Sequence, residues 1–318
     1  MFLRKMSYSV NNDTHCPVCR SNKLKEHGAY RGRHASFDSI KRFKCMFCEL
    51  VFAGPMPSQD KLEQYNSSYF TSAHGGKPQG AATLAFFSGV AKIRQEFLER
   101  FLLELGGAAF RILEVGPGPG WFARSWLARH PKTTYYAIET DTSCHKLLGE
   151  IGVRLLSDKN ISSEEGLFDL VVMTHVLEHV ANPVDFLVES TRRLRSGGVL
   201  FIEVPCRDWE HKTLDEPHLL FFDKKSMQHL LERIGFEKIQ LSYHGQSIEK
   251  LRRPSRLARL WSAIRGILIA RGVVAPFGRS ESGLESHNPL ERAAVRPFQA
   301  HIQSDNPSWW LRAIACKS

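Results

Sequence analysis

Apolar runs and turn residues alternate through the middle of the chain in the rhythm of strand, helix, strand. Arg111–Val115 is short and apolar, and it breaks into Gly116-Pro117-Gly118-Pro119-Gly120. Trp121–Arg129 has helical spacing, and residues 133–139, rich in β-branched and aromatic side chains, predict a second strand that ends on Glu139. Residues 153–156 and 168–173 predict a third and a fourth strand. Residues 198–205 predict a fifth, after a turn over 195–198. The spacing over 223–234 predicts a helix stopped by Gly235 as its left-handed cap. Residues 236–243 alternate as a sixth strand, and 309–317 predict a seventh, antiparallel one. Together these elements predict a doubly wound α/β sheet.

The glycine run sets the chemistry to expect. Side-chain-free residues at a strand end let backbone N–H groups approach a ligand closely at the start of a helix. A dinucleotide fingerprint, G-x-G-x-x-G, would need glycine where Trp121 stands, and an indole cannot give the close helix–strand packing of that third glycine. Glu139 lies 23 positions after Gly116, near the interval at which a βαβ unit brings a carboxylate to a ribose diol. The pattern E-x-G-x-G-x-G from Glu114 to Gly120 resembles motif I of class I S-adenosylmethionine (AdoMet) methyltransferases. That resemblance implies a Rossmann-like, seven-stranded sheet in which Glu114 shapes the turn. It also implies that Gly116, Gly118 and Gly120 give backbone access to AdoMet, and that Glu139 binds its ribose. A glycine turn that holds no ligand is the bland alternative.

The N-terminal residues carry a separate signal. Four of seven cysteines form Cys16-Pro17-Val18-Cys19 and Cys45-Met46-Phe47-Cys48, two C-x-x-C knuckles with 25 residues between them. That pattern fits tetrahedral thiolate coordination of one structural Zn²⁺, which would supply folding energy that about 50 residues with few core hydrophobes lack. Residues 1–10 show no apolar core of a secretory signal, so disulfides are not expected. All four ligands being thiols, the zinc has no open position for catalysis. Cys144, Cys206 and Cys316 are scattered and are expected to be ordinary reduced thiols.

A zinc ribbon ahead of a methyltransferase fold resembles two families, bacterial methyltransferases of sugar and surface-polysaccharide biosynthesis and an rRNA guanine methyltransferase family. Tyr65-Asn66-Ser67-Ser68-Tyr69-Phe70 followed by the Gly- and Ser-containing residues 71–80 resembles the first group. So does the series Glu203-Val204-Pro205, His218-Leu219-Leu220-Phe221-Phe222, Leu230-Leu231 and Gly235-Phe236. The charge pattern bears on RNA. The chain is +10 overall, with about +6 over residues 1–50, −3 over 51–243 and +7 over 244–318. The basic surplus sits in the flanks, without a continuous basic groove through the catalytic body. The expected acceptor is therefore a hydroxyl of a sugar, glycan or related small molecule. RNA methylation, sugar C-methylation and a non-catalytic AdoMet-binding module are the alternatives. A cytoplasmic location is expected, with membrane association at the inner face as an addition.

After the fourth strand comes His175-Val176-Leu177-Glu178-His179. The resemblance places His175 beside AdoMet and turns His179 and His218 toward the acceptor, where an imidazole suits proton removal from a hydroxyl. A hydrogen-bonded structural histidine is the bland reading of each. The spacing H-x-x-E-H with a distant His is similar to the E-x-x-E-H … H set by which some RNA and quinone O-methyltransferases bind Mg²⁺. His175 in place of the first Glu weakens the case for so hard a cation at His175, Glu178, His179 and His218. The expected organisation is a ribbon over 1–55, a linker with helices over 56–109, and a core of 110–243 plus 308–318. The remaining 244–307 is a basic insertion. Within it, residues 255–271 predict a basic amphipathic helix, either a lid or dimer helix or a membrane-surface contact, and 272–306 predict loop. No apolar run is long enough to span a membrane.

Overall fold

The structure is a computed structural model that describes residues 14–66, 81–105, 110–156, 167–253, 256–273 and 302–318. In the N-terminal part, β1 (Leu24–Ala29), β2 (Lys41–Cys45) and β3 (Val51–Gly54) form an antiparallel meander, followed by α1 (Gln59–Asn66) and the long α2 (Ala81–Glu104). The C-terminal part runs β4 (Arg111–Val115), α3 (Trp121–Arg129), β5 (Thr134–Ile138), α4 (His145–Glu150), β6 (Arg154–Leu155) and β7 (Phe168–Thr174). It continues through α5 (Pro183–Ser190), β8 (Leu194–Pro205), β9 (Leu220–Phe221), α6 (Lys224–Arg233) and β10 (Phe236–Ser247). The chain closes with α7 (Ile248–Arg252), α8 (Arg256–Ala270), β11 (Gln303–Ser304) and β12 (Ser308–Lys317).

The large sheet has the order β11-β10-β12-β8-β7-β4-β5-β6. Among the described residues it holds eight strands rather than seven, because Gln303-Ser304 pairs with Tyr243-His244 at the edge, inside a stretch expected to be loop. Residues 274–301 of that expected loop, and residues 67–80 of the expected linker, lie outside the described residues. β5 and β7 flank β4 in parallel, and β12 inserts antiparallel between β8 and β10. The chain thus leaves β4 in one direction and returns on its other side at β7, and the crevice beyond the ends of these two strands is where such sheets bind ligands. β8 begins at Leu194, not after a turn at 195–198. Leu194 pairs with Phe168, and exposed residues 195–197 form an irregularity within the strand.

The central strands read as apolar runs because both faces are covered. Ile112, Leu170, Val172 and Phe201 pack with Leu98 of α2 and with Phe122 and Trp126 of α3. Leu113, Val171, Met173 and Ile202 face the other way, onto Leu187 of α5 and Met227, Leu230 and Leu231 of α6. The same apolar layer continues into Phe43, Leu50 and Phe52 of the N-terminal meander. β9, from the C-terminal part, adds a fourth strand to that meander through Val51↔Phe221 and Phe52↔Leu220. α6 starts on a capping box between Asp223 and Ser226, and Gly235 follows it at φ 83°.

Candidate functional site

β4 delivers Val115 to the glycine turn, where the Gly116 N–H donates to the Ile138 carbonyl at 2.9 Å. Gly116 has φ 69°, and a Cβ there would lie 2.5 Å from Val176 Cγ2, so the turn admits no side chain. Gly118, at φ 55°, is different: a Cβ there would meet nothing within 4 Å, so its backbone borders open space. The Gly118 N–H donates to Glu139 Oε2 and the Asp141 N–H to Glu139 Oε1, both at 2.8 Å. Each carboxylate oxygen accepts one backbone proton and keeps lone-pair capacity for a second donor, such as a ribose hydroxyl. Glu114 is buried and accepts from the Tyr135 hydroxyl at 2.7 Å. Burial pushes its carboxyl up to about 7, with the Tyr135 bond working the other way. Gly120 precedes α3 at φ 79°.

Val176 joins this turn to the segment after β7. His175 sits at φ 58°, its N–H donating to the Glu203 carbonyl oxygen at 2.8 Å. Its Nδ1 lies 3.3 Å from Glu178 Oε1 and its Nε2 lies 3.5 Å from Glu203 Oε1. Beneath it, the buried Glu203 takes Arg94 Nε at 2.8 Å on Oε1 and Arg312 Nε at 2.7 Å on Oε2. Burial alone would raise the Glu203 carboxyl, but Arg94 and Arg312 hold it well below the usual carboxylate range. Burial likewise disfavours a charged His175, and Glu178 and Glu203 outweigh it, so its pKa is raised. Arg94 and Arg312 come from α2 and β12, far apart in sequence, and no spacing pattern announces them.

His179 and His218 are brought together, with ring centroids 4.9 Å apart at 83°. Burial is the main influence on His179 and lowers it to about 4, so this ring is neutral near pH 7. The buried His218 bonds through Nδ1 to Asp208 Oδ2 at 2.6 Å. Asp208 also meets Lys212 Nζ at 2.9 Å. Despite its burial, it is held below the ordinary aspartate range by His218 and Lys212. An ionised carboxylate can only accept, so His218 carries its proton on Nδ1 and leaves Nε2 as the acceptor. Asp208 was not legible in the sequence, since its contact with His218 depends on the loop path between them.

That loop is gripped by the N-terminal meander. Arg31 donates to Asp215 from its backbone N–H at 2.8 Å and from its guanidinium, and Arg42 Nη1 adds contacts at 3.2 and 3.3 Å. Arg31 also donates to the carbonyls of Trp209 and Lys212. The Tyr30 hydroxyl donates to the His218 carbonyl at 3.1 Å, and Tyr65 to Glu216 Oε1 at 3.0 Å.

Among the described residues, two groups could hold a metal ion: Cys16, Cys19, Cys45 and Cys48, and Glu178, His179 and His218. The four sulfurs lie within 4.8 Å of one another, with Cys16–Cys48 at 3.5 Å and Cys19–Cys45 at 3.4 Å. Tetrahedral Zn–S bonds of about 2.3 Å require sulfur separations of about 3.8 Å, so four thiols gathered on this scale fit a zinc ion in chemistry and size. In the second group, Glu178 is buried, with its carboxyl drawn down to about 2 by His175 and His179 against the effect of burial.

These shifts predict acid lability with a defined sign. The folded pKa values of Glu178 and His179 lie below their ordinary values, so the unfolded chain binds more protons in acid. Their contribution to stability is complete above about pH 6.5. It is expected to fall as His179 titrates toward about 4 and Glu178 toward about 2. Glu114, raised to about 7, and His175, also raised, work the other way, their contributions being lost as pH rises. Urea unfolding of the chain and of Glu178→Gln at a series of pH values checks the sign, and a difference in midpoint that stays constant from pH 7 to pH 3 would refute it.

Comparison with known proteins then bears on the crevice. Residues 90–241 match the model of a family described as a methyltransferase domain. This part of the chain is similar to a methyltransferase domain. A 37.1 kDa protein of transposon Tn4556 from Streptomyces fradiae is 38% identical over 116 residues, covering 34% of this chain and 33% of that one. This chain thus spans about a third of that relative's length. A possible histamine N-methyltransferase from Thermotoga maritima is similar in structure, with 15% identity, TM-score 0.48 and coverage of 81% of this chain and 100% of that one. The plantazolicin methyltransferase BpumL in complex with SAH has 15% identity, TM-score 0.45 and coverage of 82% and 99%.

These residues would fit an AdoMet, since Gly118 leaves open space beside the carboxylate of Glu139. Glu139→Ala is expected to weaken AdoMet by about 1–3 kcal/mol through lost charged hydrogen bonds. Titration calorimetry reads this directly, and unchanged affinity would take Glu139 out of the site.

Proposed function

We propose that this chain is an AdoMet-dependent methyltransferase that transfers a methyl group to a hydroxyl of a sugar, glycan or related small molecule, with His218 as the base. AdoMet, when bound, supplies an electrophilic methyl group. The protein's own task is then to bind and align the acceptor and to take its proton. The observation that carries the reading is the Asp208–His218 pair, 2.6 Å between Oδ2 and Nδ1, set beside His179. Asp208 fixes the tautomer and stabilises the imidazolium that forms on proton uptake, while His179, neutral near pH 7, serves as a polar wall to the acceptor space. His175, pinned between Glu178 and Glu203, keeps the segment after β7 against the glycine turn.

The four cysteines hold a structural Zn²⁺ in this reading. Through Tyr30, Arg31 and Arg42, the meander they organise positions the loop that carries Asp208 and His218. The acidic balance of residues 51–243 favours a small acceptor over RNA.

The test is transfer of label from AdoMet to nucleotide-sugars, to lipid-linked glycans and to total RNA, side by side. Label in a sugar fraction, lost in His218→Ala, is expected. Label confined to RNA would overturn the acceptor class.

A further inference from the structure

The amphipathic helix α8 faces the wrong way for a helix that serves only to cover a core. It packs against α2 and turns Arg265 inward, where that side chain is 5% exposed. Its large apolar side chains look outward: Leu257 is 68% exposed, Leu260 57%, Trp261 49% and Ile267 54%, with Val273 at 57% just beyond the helix. A soluble surface helix normally buries such a stripe.

Charge says what should cover it. From residue 250 to residue 273 the sequence contains no Asp or Glu. Lys250, Arg253, Arg256, Arg259 and Arg271 are exposed there, as is Arg252, which lies 3.6 Å from Glu210 Oε2. An exposed apolar stripe with tryptophan, set among cations in a segment without acids of its own, has the makeup of a helix that lies in the interface of an anionic bilayer. The apolar side chains enter the headgroup–acyl boundary, and the arginines pair with lipid phosphates. RNA would satisfy the cations but leave Leu257, Leu260 and Ile267 in water. A second copy of this chain would bring the same cations together with like charge. Among the described residues no helix is long and apolar enough to cross a membrane, so the contact is peripheral.

We propose that α8 docks the enzyme on an anionic lipid surface. Because α2 carries both α8 and Arg94, which bonds to Glu203 beneath His175, docking would hold the methyl-transfer crevice at a fixed place relative to the membrane.

The full chain is to be sedimented with phosphatidylcholine vesicles and with vesicles that also contain phosphatidylglycerol. Binding is expected only with the anionic lipid, and it should weaken as salt is raised. Arg256→Glu combined with Arg259→Glu should weaken it by more than about tenfold. Leu260→Asp combined with Ile267→Asp should abolish it. Both variants should keep their affinity for S-adenosylhomocysteine, which shows that they fold. Three results would overturn the proposal: equal or absent binding to the two vesicle types, salt-dependent binding of RNA with no vesicle binding, or a dimer in sedimentation velocity that Leu260→Asp dissociates. None of these would touch the assignment of His218.

Discussion

His218→Ala is expected to lower kcat by about 10²–10⁴-fold while leaving AdoMet affinity unchanged. The reasoning rests on one hydrogen bond. Asp208, an acceptor held ionised, takes the Nδ1 proton of His218 at 2.6 Å and leaves Nε2 as the only basic position on that ring. His179 is a weaker candidate, because burial pulls it down to about 4 and makes it a poor proton acceptor near neutrality. Asp208→Asn should therefore also slow turnover, since an amide can offer Nδ1 a donor and permit the other tautomer. His179→Ala should cost less in kcat and more in acceptor KM. Single-turnover kinetics on an acceptor found by the labelling survey would separate these effects. Equal losses in all three variants would point to a structural role for the whole cluster.

Cys45→Ser is expected to unfold the N-terminal meander and, with it, to disable turnover, while the glycine crevice still binds AdoMet. Zinc sites of this kind contribute on the order of 10–16 kcal/mol to the folding of small units. Without that contribution, Tyr30, Arg31 and Arg42 would release the loop around Asp215 and His218. Asp215 is buried and answered by both arginines, so Asp215→Ala leaves uncompensated charge and should cost about 3–5 kcal/mol with the metal still bound. Metal analysis, calorimetry with S-adenosylhomocysteine and a turnover assay on the two variants distinguish loss of metal from loss of loop support. Full activity in a zinc-free Cys45→Ser protein would show that the meander is an appendage.

Much of the sheet was legible because strands buried on both faces leave apolar runs, and glycine and proline punctuate them. Residues 168–173 read as a strand for that reason and 236–243 by their alternation, and the structure extends them to Thr174 and Ser247. β11 was not legible: two polar residues, Gln303-Ser304, become a strand only because β10 offers them a free edge. The turn expected at 195–198 was overridden by pairing with β7, which draws Leu194 into the ladder despite two following glycines. Residues marked by local spacing, such as the glycines, Glu139 and the four cysteines, stand out in the sequence, and the fold brings them together as the glycine turn and the sulfur cluster. Asp208, Arg94, Glu203 and Arg312 could not be assigned roles, since their roles arise from contacts between α2, β8, β12 and a loop held by the meander. The two histidines stand out in the sequence, but their contact with each other and with Asp208 is visible only in the fold.

The central claim is that the crevice between β4 and β7 binds AdoMet through the glycine turn and Glu139. Titration calorimetry of the purified chain with S-adenosylhomocysteine and with NAD tests it most directly. The account predicts one site for S-adenosylhomocysteine, weakened by Glu139→Ala, and no heat from NAD. Tight binding of NAD with none of S-adenosylhomocysteine would contradict it.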